Sequence, residues 1–171
     1  MADIGTRIEE SKNWFEKAAH HLPGYRGYKD KELRREADKI ERLYLAEQLE
    51  ACRHKLDEVM VDLTHRTDLG PLDDLDVSLR KLRKVRDRIQ FADYGYAGLF
   101  DAVKVDEPIL DQLYQYDAQA QEQVRGLVDF CNALSADSPS LSADIGLLDE
   151  RVDALDAFFS EREHLITGAG R

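Results

Sequence analysis

From Asp30 to Leu69 the chain contains neither glycine nor proline, and no other feature restricts its fold as strongly. A stretch of that length without a helix breaker reads as one helix, roughly 60 Å long at about 1.5 Å per residue. Its apolar residues agree. Leu33, Ala37, Ile40 and Tyr44 form one stripe, which resumes one residue out of phase as Leu45, Leu49, Cys52, Leu56, Val59 and Leu63. Spacings of three and four put each set on a single helix face. The slip between Tyr44 and Leu45 predicts a change of packing partner or a slight bend.

The rest of the chain repeats this pattern in shorter pieces. Ile4, Ile8, Ser11, Phe15, Ala18 and Leu22 make a first stripe, stopped by Pro23 and Gly24, and Asp30 is placed to cap the long helix that follows. Gly70 and Pro71 end the long helix and open the next, whose stripe is Leu72, Leu75, Leu79, Leu82, Val85 and Ile89. Asp106, Glu107 and Pro108 start a fourth, carrying Ile109, Leu113, Tyr116, Ala120, Val124, Leu127, Cys131 and Leu134. After the turn signal of residues 135–140, a fifth carries Leu141, Ile145, Leu148, Val152, Leu155, Phe159 and Ile166, and residues 166–171 read as a fraying tail.

Amphipathic helices joined by mostly short turns predict an all-α fold: an antiparallel up-and-down bundle of four to five helices with a long second helix, in one domain spanning residues 1–171. At 43% hydrophobic and 35% charged residues, the composition suits such helices better than strands or disorder. No apolar run approaches the roughly 18 residues that cross a bilayer, and residues 1–5 lack a basic segment leading into an apolar one. We therefore expect a cytoplasmic protein with no membrane partner. Cys52 and Cys131 match no metal or redox spacing and both fall on core stripes, which predicts two reduced thiols.

The net charge of −11 is uneven: residues 1–92 hold 19 acidic and 19 basic side chains, residues 93–171 hold 16 and 5. An excess of that sign repels phosphate backbones, so nucleic acid is a poor default partner. The one dense cationic run, Arg80, Lys81, Arg83, Lys84, Arg86 and Arg88, leads into Phe91, Tyr94 and Tyr96. One reading is phosphate contact combined with base stacking. The other is a helix face paired with the acidic later helices, and the net charge favours it.

Two stretches, Gly24–Tyr28 and Tyr94–Gly98, hold four of the seven tyrosines. Glycine supplies backbone freedom and tyrosine a flat apolar face with a hydroxyl, a mixture enriched where proteins recognise each other. If the helices alternate in direction, both stretches lie at one end. The expected partner-binding residues are Tyr25, Arg26, Tyr28, Tyr94, Tyr96 and Phe100, taking a protein partner or a second copy of the chain. The competing reading is that these rings plug the end of the core.

For catalysis the sequence offers no phosphate loop, no zinc spacing and no nucleophile elbow, so no catalytic residue, metal ligand or cofactor is assigned. A metal-binding bundle of the ferritin kind is the alternative, because Glu161 with His164 and Asp62 with His65 have the i, i+3 spacing used in such sites. Those histidines stand two residues off the apolar stripes, which points them outward.

Overall fold

In the computed structural model the residues described are 26–66, 69–92 and 107–168. They form four helices: α1 (Arg26–Arg66), α2 (Leu69–Gln90), α3 (Glu107–Ala133) and α4 (Leu141–Gly168). No strand occurs among the described residues, and the fold is all-α. The expected first helix, Ile4–Leu22, lies outside them, as do Tyr25, Tyr94, Tyr96 and Phe100.

Helix boundaries differ from the sequence reading at three places; at one, α1 ends at Arg66 and α2 opens at Leu69, so Gly70 lies in the first turn of α2 instead of closing α1. α1 begins at Arg26, four residues before Asp30, so Arg26, Gly27 and Tyr28 belong to its first turn rather than to a loop. The breaker pair Pro23–Gly24 ends four-residue periodicity only up to that point, and one glycine in a first turn costs little where amide groups lack intrahelical partners anyway. α4 continues through Gly168, so residues 166–168 are helical instead of frayed.

α1 packs against α2 and α3, and α4 packs against the same two, so α2 and α3 are not neighbours although they follow each other in sequence. The ion pairs and ring contacts give the directions. Arg42 lies against Ile89, Glu50 against Arg86 and Asp57 against Arg83, hence α1 and α2 run oppositely. Glu41 meets Gln121 and Arg66 meets Ala136, hence α1 and α3 run together. Lys81 meets Asp149 and Arg88 meets Glu163, so α2 and α4 also run together. Arg162 meets Asp117 and Phe130 meets Arg151, so α3 and α4 run oppositely.

The stripes form the core. Leu49, Leu56, Leu63, Leu75, Leu82, Leu127, Leu148 and Leu155 are fully enclosed, together with Val85, Ile89, Ile145 and both cysteines. Burying an aliphatic side chain of this size contributes about 1.5–3 kcal/mol, enough for such a column to set which helix faces meet. At one end, the Leu134–Ser140 turn is tied by Ser138 and Ser140 hydroxyls donating to Asp144, each at 2.9 Å. Arg66, at the end of α1, donates to the Ala136 carbonyl at 3.2 Å and pairs with Asp137 at 2.6 Å.

At the other end the helices stop at different heights. α2 ends one residue past Ile89, level with Arg42, while α1 extends a further sixteen residues toward its start, roughly 24 Å at about 1.5 Å per residue. The phase slip at Tyr44–Leu45 falls at this level. Leu45 and every later stripe residue of α1 are buried, while Ile40 and Tyr44 are only half-buried. The slip therefore coincides with the loss of α2 as a packing partner.

Candidate functional site: a buried charge network at the end of α2

The level at which α2 stops is occupied by charge. Asp38, Glu41 and Arg42 stand on one face of α1, spaced i, i+3 and i+4; α3 brings Asp117 and Gln121, and α4 brings Arg162. Arg42 and Arg162 are only 4% and 5% exposed, an environment in which an unpaired guanidinium is strongly disfavoured.

The pairing is dense. Arg162 donates to Asp117 Oδ1 from Nε at 3.0 Å and from Nη2 at 2.7 Å, and Nη2 also donates to Asp38 Oδ1 at 3.0 Å. Asp38 accepts Arg42 Nε through its other oxygen at 2.8 Å. Arg42 Nη1 reaches the Ile89 carbonyl at 3.5 Å, one of the last carbonyls of α2, which lack helical partners. Gln121 Nε2 donates to Glu41 Oε1 at 2.8 Å. One connected set of polar groups thus joins all four helices, α2 taking part through the Ile89 carbonyl.

Among the described residues two guanidiniums face three carboxyls here, so full ionisation of that set would leave one negative charge in excess. Burial pushes the Glu41 carboxyl up to about 7, assisted by the negative charge of Asp117. Asp117 is also raised by burial, against the opposing pull of Arg162 and a hydrogen bond with Glu41. A proton shared by these two carboxyls neutralises the cluster, as it does wherever like charges are held together away from water. Chemically, the site can hold or release one proton near neutral pH. Among the described residues no group of three or more His, Cys, Asp or Glu is arranged to hold a metal ion.

The cationic run of α2 is engaged on both sides. Lys81 bridges Asp149 and Asp153 of α4, both at 2.8 Å, and Lys84 meets Asp156 at 3.1 Å. Arg88 contacts Asp156 at 2.7 Å, the Ser160 hydroxyl at 2.9 Å and Glu163 at 2.9 Å. On the α1 side, Arg83 faces Asp57 at 3.8 Å and Arg86 faces Glu50 at 3.7 Å; Arg80 pairs within α2 with Asp76 at 2.7 Å. All six cations therefore meet protein carboxylates, an arrangement that seats α2 between α1 and α4.

Of the expected partner-binding residues, the structure places only the backbones of Arg26 and Tyr28, in the first turn of α1. Asp62, His65, Glu161 and His164 are all exposed, so the two acid-x-x-His pairs face outward.

The sequence reading missed the network, although a signal existed. Counting back from Leu45 at stripe spacing gives Arg42 and Asp38, counting back from Ala120 gives Asp117, and Arg162 stands between Phe159 and Ile166. Charged residues that occupy an apolar stripe in three helices are candidates for one buried cluster. The cysteine pair was missed too. Cys52 and Cys131 are both buried in the same core, on the adjacent helices α1 and α3.

No protein-family model, no curated protein and no solved structure shows significant similarity to the chain.

Proposed function

We propose that the chain is a non-enzymatic up-and-down helical bundle that binds a protein partner, or a second copy of itself, at the end where α2 stops. The observation that supports this reading is a common direction, although the start of α1 extends roughly 24 Å beyond the end of α2. The start of α1 and the finish of α2 point the same way, because Arg42 meets Ile89, and the two Gly/Tyr stretches flank those two termini in sequence. Phe91, one residue past α2, is 68% exposed and adds a large apolar surface there. Aromatic residues beside arginine are the usual energetic anchors of protein interfaces.

The charge network supports the reading from beneath. A fully paired polar layer fixes the mutual register of helices more strictly than apolar contact does, and a rigid base lowers the ordering cost of a binding surface above it. The cationic face of α2 supports it by elimination, since its charges are already matched within the chain.

The test is the double variant Tyr28→Ala/Tyr96→Ala. Sedimentation velocity across a hundredfold concentration range reads self-association, and capture on immobilised protein followed by mass spectrometry reads other partners. The expected outcome is loss of the complex with a melting temperature within a few degrees of the parent. Unfolding of the double variant would instead assign the tyrosines to a plug of the core and overturn the proposal.

A further inference from the structure

We propose that Cys52 and Cys131 are an oxidisable pair, which a peroxide converts into a disulfide stapling α1 to α3. The two residues are 79 positions apart in sequence and come together through helix register. α1 and α3 run side by side in the same direction, with Glu41 against Gln121, so an offset of about the same size sets Cys131 opposite Cys52. They are 1% and 0% exposed and belong to one continuous core.

Either sulfur can attack first once ionised, since the thiolate is the reactive form, and the steps are the same with the two exchanged. The Cys52 thiolate attacks one peroxide oxygen; the O–O bond breaks, hydroxide leaves, and Cys52 becomes a sulfenic acid. The Cys131 sulfur then attacks the Cys52 sulfur. The S–S bond forms, the S–O bond breaks, and water leaves with the proton from Cys131. Two thiols and one hydrogen peroxide give one disulfide and two waters.

Burial sets the rate rather than the outcome. Peroxide meets these thiols when the core opens locally, so oxidation is slow in the resting fold and accelerates in urea well below the unfolding midpoint. The product closes a loop of nearly eighty residues between two long helices, a constraint of the kind that stabilises a fold when its geometry fits.

The experiment treats the full chain with hydrogen peroxide, quenches with an alkylating reagent and measures intact mass without reductant. The expected result is a monomer lighter by about two mass units, carrying no alkyl group and restored by dithiothreitol. Calorimetry should show the oxidised chain melting several degrees above the reduced one. In Cys131→Ala and Cys52→Ala alike no internal disulfide should form, and dimedone should trap a sulfenic acid on the remaining thiol in dilute urea. Three outcomes overturn the proposal: two alkylatable thiols after oxidation even in dilute urea, disulfide-linked dimers in place of the internal bond, or an oxidised chain that melts below the reduced one.

Discussion

Between Leu63 and Leu45, α1 presents an unbroken column of buried apolar side chains, whereas the same column, continued toward the start of the helix, becomes Arg42 and Asp38. Both regions lie in the interior and both bring four helices together, yet they do so by different physics. The apolar column is held by burial, which is non-directional and accepts any well-packed neighbour. The network is held by charge pairs that succeed only in one arrangement, because each ion removed from water must regain its interactions inside. Strength and specificity are thus assigned to separate layers of one bundle.

The sharpest way to break this contrast is to remove one ion. Arg162→Met strands Asp117 and takes away one of the two cations facing Asp38, and should cost about 3–5 kcal/mol of stability in urea unfolding. The double variant Asp117→Leu/Arg162→Met should return to within about 1 kcal/mol of the parent, because no uncompensated charge is left on α3 or α4. Failure of the double variant to recover would mean that the pair itself is a net source of stability. Within the apolar column, Leu56→Ala should cost about 3 kcal/mol with an unchanged denaturant slope, and here no second substitution of a neighbour should rescue it.

That difference also explains what could be read in advance. The apolar stripes of α2, α3 and α4 and the lower half of α1 are visible in sequence, since a 3.6-residue period is a local property and hydrophobic burial needs no particular partner. The network is not local. Asp38 with Arg42 has the spacing of an ordinary surface pair, and Asp117 and Arg162 resemble the many charges around them, so their burial follows only from the heights at which α2 and α3 meet α1 and α4. The same holds for Cys52 and Cys131, each legible as core but not as neighbours. The Gly/Tyr stretches are legible as composition, and of their aromatic residues only Tyr28 has its backbone among the described residues.

Acidity separates the layers more gently. Glu41 is raised from 4.5 to about 7 in the folded protein, so the fold binds its proton more tightly than the unfolded chain does. Its contribution is full below about pH 4.5 and is lost as pH rises through 7. Asp117, raised as well, acts in the same direction. Glu41→Gln keeps a neutral side chain able to donate to Asp117 at every pH. The variant should match the parent at pH 5 and melt about 3 °C higher at pH 8. Equal shifts at both pH values would place the proton elsewhere, and Leu56→Ala, which changes no titrating group, should lose the same stability at both.

The smallest effect is expected where charges are most numerous. Arg80 and Lys84 pair with Asp76 and Asp156, but their side chains are 65% and 71% exposed, against 5% for Arg162. Exposed pairs surrender little hydration and are screened by salt, so Arg80→Ala and Lys84→Ala should each change stability by no more than about 0.5 kcal/mol. The two variants also bear on what the face of α2 does. If its cations serve the bundle, fluorescence anisotropy with a labelled single-stranded oligonucleotide should show no salt-sensitive binding at micromolar protein, for parent and variants alike. Binding that weakens steeply with salt and falls further in both variants would return this face to nucleic-acid recognition, because a phosphate backbone would then be outcompeting Asp76 and Asp156 for the same cations.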